Sequence, residues 1–200
     1  MLNLALLKSH VRVDFDDDDA LLLTYLQAAT ATFEQRTRRL LSRQTKTIRL
    51  GDWGRLSPDP RVRRFYGTPI DSPYSRPGVP LPFPPLESVT SVTYYDGDGN
   101  QQTLASSNYA IDTTRPVPIL RFVDSLPDLD PNRSDRIIIT YVCGWATPPA
   151  DVVRAVLELA AGYYLTRESV ATIQFQPVPF GVEAIMHNRA VPELQPAVDP

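Results

Sequence analysis

The chain has little of the material from which redox or metal chemistry is built. Its 200 residues include one cysteine, Cys143, and two histidines, His10 and His187, so a disulfide framework or a multi-cysteine metal site cannot form within one chain. Neither histidine has a carboxylate or cysteine at ligand spacing, and a catalytic imidazole needs an orienting partner. There is no G-x-S-x-G elbow, no P-loop glycine pattern, no G-x-G-x-x-G and no H-E-x-x-H. The expectation is a protein that is not an enzyme, with no catalytic residues, no metal and no cofactor. No apolar run reaches the roughly 18 residues that a membrane span needs. The opening MLNLALLKSHVRV turns polar too soon for a secretory signal. A soluble chain of cytoplasmic origin, without a membrane partner, is expected.

Lysine is also scarce, only Lys8 and Lys46 among twenty basic residues, against 23 acids and a formal charge of -3. The arginine bias suits bidentate contacts to carboxylate or phosphate. Charge is unevenly distributed: residues 1–35 hold two bases and six acids, 36–64 ten bases and two acids, and 65–200 eight bases and fifteen acids. A segment of +8 in an otherwise acidic chain implies a polar contact surface. At 42% apolar content the length suffices for one well-buried domain, or for one core with an elaborated insertion.

Leu4, Leu7 and Val11 share one face of a short helix ending near His10. Next comes VDFDDDDALLLTYLQAA, in which Asp14 and Asp16, Asp17, Asp18 and Asp19 precede an apolar run. From Asp17 onward Leu22, Leu26, Ala29, Phe33 and Leu40 keep one helical stripe apolar, while Gln27, Glu34 and Arg38 face away. The aspartates then sit before and within a first turn, where unpaired N–H groups and the positive end of the helix dipole favour anions. A calcium loop starting at Asp14 would need glycine at its sixth position and glutamate at its twelfth; Asp19 and Tyr25 stand there. Helix capping is the better reading.

Beyond Leu41 short alternating segments with turn residues take over. TKTIRLG reads as a strand, and the proline-rich stretch from Ser57 to Glu87 as irregular apart from one strand at Val62–Tyr66. SVTSVTYYDGDGNQQTL reads as a hairpin, and NYAID, VPILRFV and DRIIITYVCG as further strands, with Cys143 half-buried in the last. The hairpin tip Asp96, Asp98, Asn100 imitates a calcium loop, but Gln101 and Ser107 occupy the diagnostic positions, so turn chemistry explains it. A helix returns after Pro148 and Pro149, with Val152, Val156, Leu159, Ala160 and Tyr163 as its buried stripe. Tyr163, Tyr164 and Trp145 read as core rather than as ligand-stacking aromatics. A break at IQFQPVP precedes a short helix in FGVEAIMHNRAV and a proline-bearing tail.

The fold class expected is α+β. N- and C-terminal helices (1–43 and 148–187) form one core around an inserted antiparallel β-domain (44–147), followed by a flexible arm (188–200), because neither helical end could bury its stripe alone.

The ordered set ALLKSHVRVDFDDDDALLLTYLQAATATFEQRTRRLL, PPLESVTSVTYYDGDGNQQTL, IIITYVCGW with PPADVVRAVLELAAGYYLTRESV, and PVPFGVEAIM closely resembles the head-tail connector (adaptor, head-completion) proteins of long-tailed bacteriophages and related gene transfer agents. The resemblance runs over residues 3–186 and is most specific in LKSHVRVD and PFGVEA. It departs in the long proline-rich region Gly51–Val79 and in the tail after His187. It implies a structural virion protein, assembled in a host bacterial cytoplasm and located at the neck. There a ring, commonly of twelve copies, sits beneath the portal, passes double-stranded DNA through its lumen without sequence-specific binding, and presents a surface to the next tail or stopper component. By analogy the segment from Phe180 onward, with Gly181, Val182, Ile185, Met186, Val191 and Leu194, would be the arm that reaches the portal. A ring needs two different faces of each subunit to meet. The acidic Asp16–Asp19 and the basic Arg36, Arg38, Arg39 and Arg43, joined by Arg63 and Arg64, are the expected pair. Two other readings remain open: a double-stranded DNA-binding module using residues 36–64, and a virion carbohydrate- or receptor-binding protein using the β-insertion.

Overall fold

A computed structural model describes residues 2–53, 78–122, 126–166 and 180–191. The expected strand at Val62–Tyr66, the break at IQFQPVP, and Arg63, Arg64 and Leu194 lie outside them. The chain is α+β and divides into two compact units, one made of Met1–Ser42 with Trp145–Val191, the other running from Arg43 to Gly144.

The first unit is helical. Helix α1 spans Leu4–Val11, with the Asn3 side chain accepting the Leu6 N–H at 2.8 Å, a standard N-cap that satisfies an orphan donor. Helix α2 spans Asp19–Thr37, 19 residues or about 28 Å. Its buried positions Leu22, Leu26, Ala29, Phe33 and Thr37 are spaced by three and four, as an amphipathic helix requires. The helix stops short of the expected Leu40. Arg38 takes the left-handed conformation at φ 56° and donates its N–H to the Glu34 carbonyl, while a Glu34 carboxylate oxygen accepts the Leu41 N–H at 2.7 Å. Leu40 is buried just beyond the helix end.

Helix α3, Ala150–Leu165, follows Pro149, whose missing N–H costs nothing at that place. Helix α4 is Phe180–Arg189. Leu7 from α1, the α2 stripe, Val152, Ala155, Val156, Leu159 and Ala160 from α3, and Val182 and Met186 from α4 form one core. Tyr163, expected within that stripe, is only half-buried and packs its ring at 6.4 Å from Tyr25. A phenol at the rim keeps its hydroxyl within reach of Thr32, 3.3 Å away.

The second unit is built of antiparallel strands: β1 Gln44–Leu50, β2 Gly78–Pro80, β3 Leu86–Tyr95, β4 Gln101–Thr103, β5 Tyr109–Asp112, β6 Ile119–Phe122 and β7 Ile137–Cys143. They form a sheet of order β1-β7-β3-β4 and a second of order β2-β6-β5. β7 is central, and Ile137, Ile139, Tyr141 and Cys143 all point into the interior. Cys143 is fully buried rather than half-buried, and burial pushes its thiol pKa up, which keeps it an unreactive thiol. At the β3–β4 turn, Asp96 Oδ1 accepts the N–H groups of Asp98 and Asn100 at 3.1 and 2.9 Å, and Gly99 adopts φ +82°. The carboxylate that imitated a calcium ligand thus closes the turn.

Gly78–Pro80 corrects the reading of this stretch as irregular. Its three residues pair with Ile119–Arg121 of β6, and β2 is an edge strand, the one place a sheet accepts proline. Gly78 is required by space: a Cβ there would lie 2.5 Å from Ile119 Cγ2 and 3.3 Å from the Leu120 carbonyl. Gly78→Ala is expected to destabilise the β unit by about 1–3 kcal/mol, read as a lowered urea midpoint; an unchanged midpoint would show that β2 is not held against β6.

Candidate functional site

The acidic run occupies the link between α1 and α2. Lys8 reaches it from α1 and donates to Asp16 at 2.6 Å and Asp19 at 2.7 Å. Those hydrogen bonds raise the Lys8 pKa, and the bond from Lys8 holds Asp16 below the usual carboxylate value. Asp18, at the N-cap position of α2, makes no capping bond with its side chain. Its carboxylate instead accepts the Tyr164 hydroxyl of α3 at 2.6 Å. The expected capping role therefore gives way to a tertiary one, because a bond to an ionised acceptor from another helix orders more of the fold than a local cap does. Asp17 is exposed and has no hydrogen bond or ion pair among the described residues.

The basic residues are likewise engaged. Arg36 faces Glu183 of α4 at 3.8 Å, both half-exposed, a surface pair contributing at most about 1 kcal/mol. Arg38 is the left-handed residue that ends α2. Arg39 donates to the Arg189 carbonyl at 2.7 Å and lies over the Trp145 ring at 5.7 Å. Burial, and then the neighbouring Arg189 charge, push the pKa of its guanidinium down. Arg189 in turn grips Asp151 of α3 with bonds of 3.0 and 3.1 Å. Arg43 belongs to the β unit and pairs with Glu87 at 2.7 Å. Arg36, Arg39 and Arg43 thus each have a partner in their own unit, which leaves less basic charge for a neighbouring protein or for DNA phosphates than the sequence suggested.

The segment assigned to a docking arm is largely structural up to Val191. Val182 and Met186 are 0% and 3% exposed and belong to the helical core, Ile185 packs against it, and Gly181 is exposed beside Arg154. Phe180 opens α4. The Val191 N–H donates to the Thr37 carbonyl at 2.9 Å and its side chain is buried. Residues 188–191, expected to belong to a flexible arm, are therefore part of the helical unit as far as Val191, because α4 buries its stripe against α2 and α3. Lys8, Tyr164, Asp151 and Arg189, which hold these segments in place, had no local signature: each acts on a residue distant in sequence.

Residues 1–111 match the Phage gp6-like head-tail connector protein family. The chain belongs to that family. Head-tail connectors are structural virion proteins. No curated protein matches the chain. Among solved structures, a chain in the neck of an empty gene transfer agent (GTA) particle, computed with C6 symmetry, is 24% identical with a TM-score of 0.71, the match covering 96% of this chain and 90% of that one. A chain of the virion of a native GTA particle is 25% identical with the same TM-score and coverage. One in the neck of a native GTA particle, computed with C12 symmetry, is 25% identical with a TM-score of 0.64, covering 93% of this connector and 88% of that chain.

Proposed function

We propose that this connector assembles as a ring of twelve copies in the virion neck, the reading carried by its family membership together with its likeness to a chain of a GTA neck computed with C12 symmetry. In that role the ring sits under the portal, extends the channel through which double-stranded DNA passes, and offers its far side to the tail or stopper. The overall charge of -3 suits a conduit, since a strongly basic wall would retain phosphate. The portal-reaching arm is the segment beyond Val191, including Leu194. The protein acts without catalytic chemistry.

The test is native mass spectrometry and electron microscopy of the full chain, alone and mixed with the portal of the same particle. A ring seated on the portal is the expected result. A monomer that ignores the portal and instead binds DNA with steep salt dependence, or glycan, would overturn the reading.

A further inference from the structure

The outward face of α2 is unlike that of a solvated helix. Between Asp19 and Glu34 the sequence has no charged residue. The exposed positions Ala20, Leu23, Thr24, Gln27, Ala28 and Ala31 fall within one sector of roughly 140° at about 100° per residue. Leu23 leaves 43% of its surface to solvent. Thr24 and Thr32 turn their hydroxyls back onto the Ala20 and Ala28 carbonyls, each at 2.9 Å, so what they offer outward is methyl surface. A surface helix ordinarily carries charge on the side away from its core.

The other helices of the unit differ in a telling way. The outward side of α3 carries the Arg154–Glu158 pair, and that of α4 carries Glu183 and His187. Of the four helices among the described residues, α1 comes nearest to the same pattern: Ala5, Leu6 and Ser9 are exposed, Leu6 to 39%, with Phe15 at 47% in the link that follows, while Lys8 is turned to Asp16 and Asp19 and His10 is exposed in the last turn. DNA is a poor occupant for the α2 face: phosphate is held by cations and N–H or O–H donors, and this face offers only the Gln27 amide. A second copy of the chain fits, because a closed ring needs two different surfaces on each subunit and small side chains let helices approach closely.

We infer that the uncharged face of α2 packs against the α1 face of the neighbouring copy, forming the subunit boundary of the ring. The inference rests on the ring reading above and goes beyond it by naming the surfaces. It also reassigns the boundary: the acidic and basic residues at the two ends of α2 stay with their own subunit, and the contact between copies is apolar.

Native mass spectrometry of the full chain, with and without portal, tests this on three variants. Ala28→Arg and Leu6→Arg sit on the two proposed faces and retain good helix formers at exposed positions. Arg154→Glu makes a comparable charge change on the outer side of α3. The first two are expected to weaken assembly by about a hundredfold or more, since an unpaired charge would be buried, with far-UV circular dichroism and melting unchanged. Arg154→Glu is expected to assemble like the unaltered protein. Rings should also survive a rise from about 0.1 M to 1 M salt, where surface charge pairs are screened. As a measurement independent of assembly strength, a Leu6→Cys, Ala28→Cys variant treated with a short bis-maleimide should give a ladder of cross-linked copies. If the unaltered chain forms no ring even with portal, the ring reading itself fails. If it does, and Ala28→Arg still assembles, the ladder is absent, or salt dissolves the ring, the ring reading stands and the surfaces named here are wrong.

Discussion

Phe33→Ala is expected to destabilise the helical unit by about 3–5 kcal/mol, a large part of the roughly 5–15 kcal/mol that holds a typical domain together. Phe33 is fully buried in the core shared by all four helices among the described residues. It sits one turn before the end of α2, where the chain is already fixed by the Arg38 and Leu41 bonds to Glu34. Its neighbours therefore cannot collapse easily into the space left, which places the cost toward the upper end of the range. Urea unfolding followed by circular dichroism reads the loss as a lowered midpoint with the slope preserved. A loss under about 1 kcal/mol would mean that the ring of Phe33 is not enclosed as described. Ring assembly should fail with it, by depletion of folded subunit.

Val182→Asp is expected to cost at least about 3 kcal/mol, because it places a carboxylate among the apolar side chains of the core. Val182 is 0% exposed, and α4 reaches the rest of the unit through that residue, Met186, and the polar bonds of Arg189 and Val191. Hydrogen exchange should show protection lost first in α4, then in the α2 and α3 turns facing it. Leu194→Asp, in the proposed arm beyond Val191, should leave the melting curve unchanged while weakening attachment to the portal. The opposite pattern, a stable Val182→Asp protein that no longer docks, would return Val182 to the arm.

Much of this architecture is legible in the sequence where a pattern is long and regular. The α2 stripe of Leu22, Leu26, Ala29 and Phe33, the alternation of Val89, Val92 and Tyr94 into an Asp-Gly turn, and the apolar run of β7 each override local alternatives. β2 was illegible because three residues containing a glycine and a proline carry no alternation; only its pairing with β6 makes it a strand. The burial of α4 was obscured by its brevity, since Val182 and Met186 give a single repeat of the helical period. Charge was read correctly in amount and less fully in destination. That Lys8 pairs with both Asp16 and Asp19, or that Asp18 serves Tyr164 rather than its own helix, depends on tertiary neighbours that no local spacing encodes. The boundary surfaces and the arm remain proposals, and the informative signal for the former is an absence, the fourteen positions between Asp19 and Glu34 without a charge.

The helical unit is discontinuous in sequence, and this fixes an order of events during synthesis. The β unit has its last strand once Cys143 has been made, whereas the helical unit lacks α4 and the Val191 bond until residue 191. At about 5–20 residues per second, the 48 residues from Cys143 to Val191 give the nascent β unit roughly 2–10 s in which to fold while α1 and α2 still await the last of their partners. The apolar stripe of α2 gains its first cover when α3 is complete at Leu165, and the core of the helical unit closes only once α4 and Val191 have been made.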